Sequence, residues 1–250
     1  MASLNLLARF NLTAGALMLA GALVADEPGQ YLLWGLAVVA IWTTPRLGGA
    51  FDLRPSHFVE RHGLVVIVAL GESVVAVGIG ASAHPISVEL LAVAVLGLAV
   101  SACLWWTHFV SEDEEAPVRA MAATPPERQV TVALNAFYYS HLLILLGIVA
   151  DAAALEQAIA HPFDELSLGL ALCLGGGAAA FFCGEVGFRR SLALPFSGWL
   201  LGAVVLSAVT VPLGTELSAL AQLGALLVVL AGCLIASAPR AASAPQRAAA

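Results

Sequence analysis

Residues 63–81 read GLVVIVALGESVVAVGIGA, and within these nineteen residues only Glu72 carries a charge. A helix that crosses a bilayer needs about 20 largely apolar residues, because the hydrocarbon core is about 30 Å thick. The stretch therefore predicts a transmembrane helix with a single acidic side chain near its middle.

Seven further apolar stretches lie on either side of this one along the chain. With it they form the set Leu4–Ala25, Tyr31–Thr44, Gly63–Ala81, Ile86–Val110, Gln129–Ala150, Glu165–Phe188, Leu192–Val211 and Leu217–Ser237. The set predicts an all-α protein, a polytopic transmembrane helix bundle of about eight spans in a lipid bilayer. We expect one helical domain over residues 1–238 and a disordered cytoplasmic tail over residues 239–250, which shows no hydrophobic periodicity.

The composition agrees with a membrane protein and excludes several function classes. Hydrophobic residues make up 60% of the chain and charged residues 11%, with a mean hydropathy of +0.94, whereas soluble domains are about 25% charged. All ten basic residues are arginine, so lysine-dependent chemistry such as a Schiff base, a P-loop or a kinase site is excluded. The net charge of −7 argues against a nucleic-acid partner. No cofactor is predicted.

The arginines test the span count independently, because cytoplasmic loops carry an excess of basic residues. With eight alternating spans every arginine falls on one side: Arg9, Arg46, Arg54, Arg61, Arg119, Arg128, Arg189, Arg190, Arg240 and Arg247. Both termini are then cytoplasmic. The outer loops are predicted to be acidic, and the longest of them covers residues 151–164.

Glu72 is the residue that the sequence marks most clearly as functional. It lies ten residues beyond His62, which corresponds to about 15 Å along a helix and places it at the bilayer midplane. A carboxyl at that depth is expected to face the bundle, to be paired or to be protonated. We predict a role in a proton or ion pathway; the alternative is a structural carboxyl that specifies helix packing.

Other polar residues in the spans could join such a pathway. Ser73 follows Glu72 directly, and the fifth span carries Asn135, Tyr138 and His141 at three-residue steps. His141 is expected near the depth of Glu72, slightly outward, and a pair of the two would relay a proton. The alternative is that His141 is hydrogen-bonded to a neighbouring helix.

Two other groups of residues have structural interpretations. Glu185 and Arg189 are four residues apart, in the order that favours a helical ion pair at the membrane interface. Gly176, Ala180 and Gly184 recur at four-residue spacing on the sixth span, which predicts a close contact with a helix neighbour or a homo-oligomer partner.

The segment His57-Phe58-Val59-Glu60-Arg61-His62 contains metal-ligand residue types. Its spacing is not that of a His-Glu-x-x-His site, and Arg61 would repel a cation. No metal is therefore predicted, and a juxtamembrane collar is the favoured interpretation.

This segment continues as Gly63-Leu64 and is followed by Leu70-Gly71-Glu72-Ser73. The pair of motifs resembles the signature of the bacterial low temperature requirement A (LtrA) membrane proteins. The resemblance covers roughly residues 1–235 and implies a multi-pass protein of the bacterial inner membrane. It carries over to Glu60, Arg61, Gly63, Gly71, Glu72 and Ser73. Members of the family usually have further helices before this region, which implies a shortened member or a partial reading frame.

Three functions remain open from the sequence. The leading hypothesis is a transporter or channel-like protein with Glu72 in a proton or solute pathway. The second is a structural or assembly protein in which Glu72 is a packing group. The third, and least favoured, is a membrane-embedded enzyme that uses His57, Glu60 and His62 at the inner interface. No catalytic residue is predicted under the first two.

Overall fold

The structure is a computed structural model that describes residues 2–24, 27–47, 54–82, 84–110, 115–195 and 198–237. The described residues form helices and the turns between them, without strands. The chain divides into two compact units, residues 1–53 and residues 54–250. The predicted tail over residues 239–250 lies outside the described residues.

The first unit is a pair of helices, α1 (Ala2–Leu23) and α2 (Glu27–Leu47). The Trp34 indole of α2 donates a hydrogen bond to the Met18 carbonyl of α1 over 3.2 Å. It also lies against Gly21, where an added Cβ would come within 2.6 Å of the Trp34 ring. The glycine therefore allows the indole to pack flat against the α1 backbone. Helix α2 is longer than the apolar stretch over residues 31–44 that predicted it.

The second unit begins with α3 and α4, which are membrane-length helices. They are followed by two short helices, a π-helical segment and a set of longer helices. The bounds are α3 (Pro55–Ser82), α4 (Val88–Phe109), α5 (Ala116–Ala123), α6 (Pro126–Leu134), the π segment (Asn135–Ser140), α7 (His141–Ala160), α8 (Leu168–Ser191), α9 (Gly198–Val209), α10 (Val211–Glu216) and α11 (Ala219–Ser237).

In the described part of this unit, six continuous helical segments, called rods below, are long and apolar enough to cross a bilayer. Two of them combine several elements: Pro126–Ala160 joins α6, the π segment and α7, and Gly198–Glu216 joins α9 and α10. The other four are α3, α4, α8 and α11, and in the first unit Ala8–Leu23 is a shorter apolar helix. The predicted all-α transmembrane bundle is confirmed, and the helical rods of the described chain match the eight predicted stretches.

Two predicted boundaries were wrong. Helix α7 continues to Ala160, so Asp151 is not in an outer loop but inside the helix and fully buried. The predicted stretch ended at Ala150 because Asp151, Glu156 and Gln157 lower the mean hydropathy of the residues that follow. Helix α3 begins at Pro55 and not near Gly63, so the segment from His57 to His62, interpreted as a juxtamembrane collar, forms its first turns. Pro55 suits a first helical position, where no backbone N–H is needed.

The contact between α7 and α8 is close because glycines let the two backbones meet. An added Cβ at Gly147 would lie 2.6 Å from the Gly177 carbonyl oxygen, and one at Gly184 would lie 2.7 Å from the Ser140 carbonyl oxygen. Such close approach of small residues is typical of membrane helix pairs. Gly184 thus contacts a neighbouring helix of the same chain, as predicted, while an added Cβ at Gly176 would have no atom within 4 Å.

The contacts between helices define one end of this unit, called the arginine-rich end below. The α3 and α6 helices begin there, and α4 and α8 end there. Its described arginines are Arg54, Arg61, Arg119, Arg128, Arg189 and Arg190. Among the described acidic residues, Glu89, Glu156, Asp164, Glu165 and Glu216 lie toward the opposite end, whereas Glu60, Glu115, Glu127 and Glu185 lie at the arginine-rich end. Within the described part of the second unit, the arginines are therefore at one end, as predicted, and acidic residues are at both.

Candidate functional site

A cavity of about 330 Å³ opens between α3, α4, α7 and α8 toward the arginine-rich end. Its walls carry six ionisable side chains: Glu60, His62, His108, His141, Glu185 and Arg189. Phenylalanines 109, 137 and 188 complete the walls. A concave, largely apolar space with a few convergent polar groups is the usual form of a binding site.

Glu185 is the centre of a buried ion-pair network at this cavity. Its Oε1 accepts a hydrogen bond from Nδ1 of His108 at 2.5 Å, and its Oε2 lies 3.5 Å from Nε of Arg189. Arg189 also donates to the carbonyl of Thr107 at 3.3 Å. The predicted Glu185–Arg189 pair is present, but it is buried rather than interfacial, with Glu185 only 1% exposed.

Burial makes this network energetically sensitive. A charge removed from water is tolerated only when partners satisfy it, and removal of one partner typically costs about 3–5 kcal/mol. Glu185 has two such partners on two helices, His108 on α4 and Arg189 on α8. The network therefore ties the end of α4 to α8 and keeps exchangeable protons at the cavity wall.

His62 and His141 form the second polar group of the cavity, with ring centroids 5.2 Å apart. Nδ1 of His62 lies 2.7 Å from the carbonyl oxygen of Phe58. Since a carbonyl oxygen only accepts, Nδ1 carries the proton, and Nε2 of His62 is left as an acceptor. His141 is buried, and neither of its ring nitrogens has a hydrogen-bond partner among the described residues. An unpartnered buried imidazole is costly unless something binds it.

The π segment determines where His141 lies. In this segment the Ser140 hydroxyl donates to the Asn135 carbonyl over 2.7 Å. The wider turn lets Phe137 and His141 both contact His62, with centroid distances of 5.2 Å in each case. Single π turns inside α-helices are frequent at functional sites. Residues 135–140 contain neither proline nor glycine, so no residue pattern predicts this feature.

The structure separates Glu72 from His141, and the expected common depth of the two residues was wrong. His141 lies beside His62, which is about 15 Å from Glu72 along α3. Glu72 itself is exposed. On a helical projection it points roughly 120° away from the α3 residues 60, 63, 64 and 67 that line the cavity.

The depth of His141 was overestimated because it was counted from Arg128. In the structure α6 extends beyond the beginning of α3 at the arginine-rich end. His62, seven residues into α3, is level with His141, which is fifteen residues beyond Pro126. Arg128 therefore lies well outside the level at which α3 begins.

The remaining predicted pathway residues have different surroundings. Ser73 is fully buried, and its hydroxyl has no hydrogen-bond partner in the described part of the chain. Asn135 is exposed at the start of the π segment, and only its backbone carbonyl is engaged by Ser140. Neither residue lines the cavity.

The motif positions fall at the cavity and along α3. Glu60 and Gly63 line the cavity, and an added Cβ at Gly63 would lie 3.5 Å from the Phe109 ring. An added side-chain carbon at Gly63 would therefore make only an ordinary contact with α4. Arg61 and Gly71 are exposed on α3.

The proposed enzyme residues are only partly brought together. Glu60 and His62 line the cavity, whereas His57 is exposed and does not. Among the described residues no group of three or more histidine, cysteine or acidic side chains is arranged to hold a metal ion.

Sequence reasoning missed two important residues. His108 closes α4 next to Phe109 and completes the Glu185 network; its position at a span end made it look like an ordinary interfacial histidine. Asp151 is fully buried in α7, and neither carboxyl oxygen has a hydrogen-bond partner within the described residues. A correct end for α7 would have revealed it.

These features define a polytopic helical membrane protein with a polar cavity at one end of its bundle. The sequence profile of the bacterial low temperature requirement A protein (LtrA) matches residues 2–235. The chain belongs to this family of bacterial multi-pass membrane proteins.

A curated relative is similar to most of the chain. "Uncharacterized protein RA0937" from Rhizobium meliloti (strain 1021) is 28% identical over 217 residues. The alignment covers 81% of this chain and 52% of the relative, so the chain spans about half the length of that protein. No solved structure matches the chain.

Proposed function

We propose that the protein is a transporter or channel-like protein that moves a proton or a small polar solute, with the cavity at the arginine-rich end as its binding chamber. The observation that supports this proposal is that two buried clusters of titratable side chains line the same cavity. These are the His108–Glu185–Arg189 network and the His62–His141 pair. Intramembrane ionisable residues that share a cavity are typical of ion and proton pathways.

The chemistry of these groups suits proton exchange. Histidine changes its charge near neutral pH when its surroundings are ordinary, and a carboxylate beside it stabilises the charged form. Nε2 of His62 and both nitrogens of His141 have no hydrogen bond to described residues. They are therefore available to a water molecule or a solute in the cavity. The exposed Glu60 at the cavity edge provides a route to the aqueous phase.

A structural role is the second candidate, and one observation favours it. Glu185 has two partners, as expected for a carboxyl that only holds α4 and α8 together. Under this hypothesis its removal should unfold the protein without a specific effect on flux. The two functions therefore differ in a measurable way.

The test is proton flux into vesicles that contain the purified full chain and an internal pH-sensitive dye. A pH gradient is imposed, with a potassium ionophore to prevent charge build-up. We expect wild type to equilibrate faster than empty vesicles and His141→Asn to slow this flux at least tenfold. His141 is the better probe because neither of its ring nitrogens has a hydrogen-bond partner among the described residues, so the substitution removes no hydrogen bond between them. Glu185→Gln should slow flux similarly.

Matched controls separate transport from folding. Glu165→Gln changes an exposed acid at the opposite end and should leave flux unchanged. Thermal unfolding of each variant in detergent shows whether it is folded. No flux through folded wild type above the empty-vesicle rate would reject the proton pathway. Normal flux in folded His141→Asn would reject the cavity as its location.

Glu72 is a separate part of the proposal. An exposed carboxyl near the middle of α3 would have to be covered or hydrated in a bilayer, which is why we keep it as a pathway residue together with Ser73 and Asn135. Glu72→Gln should reduce flux if the path continues outward along α3. If Glu72→Gln is silent while His141→Asn is not, the pathway does not involve Glu72.

A further inference from the structure

A second cavity, of about 810 Å³, lies at the arginine-rich end between the α5–α6 region and the segment that follows α8. It is not the polar cavity described above. Its charged lining residues are Arg119 on α5 and Arg128 on α6. Among the residues that the structure describes, no acidic residue lines it. The described part of this cavity wall therefore carries positive charge within a chain whose net charge is −7.

Apart from Thr124 and Ser191, the rest of the described wall is apolar. Alanines 116, 120 and 123 come from α5, Val132 from α6, and Leu192 and Leu194 from the turn after α8. A binding site for a free ion does not need so much apolar surface. A combination of cationic groups and apolar walls is complementary to an amphiphile that carries a negative head group.

The two arginines differ in how far they are already engaged. Arg119 lies 3.6 Å from Glu115, but this pair is largely exposed and contributes little by itself. Arg128 is exposed and makes no ion pair with any described residue. The N–H donors of its guanidinium are therefore available, and their planar arrangement matches the oxygens of a phosphate.

The position of the cavity agrees with a lipid. Arg128 is in the first turn of the apolar rod Pro126–Ala160. A second apolar rod, α8, ends at Ser191. The lining residues 191–195 lie in the chain between the apolar helices α8 and α9, so this side of the cavity is next to the ends of membrane-crossing helices, where phospholipid head groups are expected. Basic pockets between transmembrane helices are known to bind anionic lipid head groups.

We infer that this cavity binds one anionic glycerophospholipid, with its phosphate on Arg119 and Arg128 and its upper acyl carbons against the apolar wall. A free phosphate has the same oxygens but none of the apolar contacts. Phosphatidylglycerol and inorganic phosphate therefore distinguish the two sources of a phosphate ligand.

The experiment is titration of the purified full chain in neutral detergent with phosphatidylglycerol or phosphatidylcholine, monitored by native mass spectrometry. We expect the first phosphatidylglycerol to bind at least tenfold more tightly than phosphatidylcholine. The double variant Arg119→Gln, Arg128→Gln should lose this preference. Arg190→Gln is the matched control, since Arg190 is exposed at the same end and does not line the cavity.

A second variant tests the apolar wall without altering charge. Ala123 is exposed to the cavity, so Ala123→Trp should fill part of the space and lower phosphatidylglycerol binding at least fivefold while both arginines remain. Thermal unfolding without added lipid shows that each variant is folded.

Three results would overturn the inference. They are equal binding of the two lipids by wild type, an unchanged preference in the folded double arginine variant, and inorganic phosphate that binds through these arginines while phosphatidylglycerol shows no preference. None of these results depends on proton flux, so the inference and the proposed function can fail separately.

Discussion

Asp151 is a single side chain whose chemistry conflicts with its surroundings. It is fully buried beside the backbone of Gly177, and its carboxyl oxygens have no hydrogen bond within the described residues. A buried polar group without a partner costs about 1–3 kcal/mol in protein mutational data. The chain therefore keeps at this position a residue that the fold does not need.

Replacement of Asp151 by alanine is expected to stabilise the protein. The substitution removes the unsatisfied carboxyl, adds no atom to the tight α7–α8 contact, and should raise the free energy of unfolding by about 1 kcal/mol. The measurement is unfolding of purified protein in mixed micelles with increasing denaturing detergent. Asp164→Ala, at an exposed acid in the following turn, is the control and should change stability by less than about 0.5 kcal/mol. A loss of stability in Asp151→Ala would mean that water or a ligand satisfies the carboxyl.

The residues that sequence reasoning located correctly are those whose surroundings are local. The Glu185–Arg189 pair was predictable because four-residue spacing alone brings the two side chains together on one helix. The His108–Glu185 contact joins residues 77 positions apart, and spacing cannot supply that information. The exposed position of Glu72 on α3 could not be predicted either, because apolar neighbours all round the helix leave its buried face undefined.

At the scale of elements, the α7–α8 pair depends on glycine positions that can be separated into contact and non-contact sites. A Cβ at Gly184 would meet Ile144 Cγ1 at 2.6 Å and backbone atoms of the π segment and α7, whereas one at Gly176 would meet nothing within 4 Å. Both glycines are inside α8, so their helix propensities are the same. Any difference between equivalent substitutions then reports packing alone.

Gly184→Ala is therefore expected to destabilise the protein and Gly176→Ala is not. Overpacking of a close contact costs about 1–3 kcal/mol, while alanine in place of glycine in an open helical position gains up to about 1 kcal/mol. The same detergent unfolding assay gives both values. Similar effects at the two positions would show that the α7–α8 contact is not as close as described. A change of oligomeric state in Gly176→Ala alone would instead support the predicted homo-oligomer contact.

The presence of each membrane helix was predictable from hydropathy, but the helix ends and the π segment were not. Apolar length is enough to identify a membrane rod, since the bilayer sets that length. The ends depend on capping and on neighbours: α3 begins at Pro55 well before the apolar run, and α7 continues past Asp151 because α8 covers it. The π segment depends on tertiary packing around Phe137 and His141 and has no local sequence mark.

At the scale of the whole molecule, both cavities lie at the arginine-rich end of the second unit. The placement has an electrostatic reason. Titratable residues near the end of a bundle can reach water, whereas those at its middle cannot. Arginines at that end also complement anionic head groups. The same charge distribution is the basis for predicting both the orientation of the protein and the kind of ligand that approaches its cavities.

The orientation itself is the last prediction. The positive-inside rule requires the arginine-rich end to face the cytoplasm, because basic residues near span ends are retained on that side. In a variant without its four cysteines, single cysteines are introduced as Arg190→Cys and Glu165→Cys, both at exposed positions at opposite ends. A membrane-impermeant maleimide applied to intact spheroplasts should label Glu165→Cys and leave Arg190→Cys unlabelled until the cells are lysed. Labelling of Arg190→Cys in intact spheroplasts would reverse the orientation and expose the polar cavity to the outside.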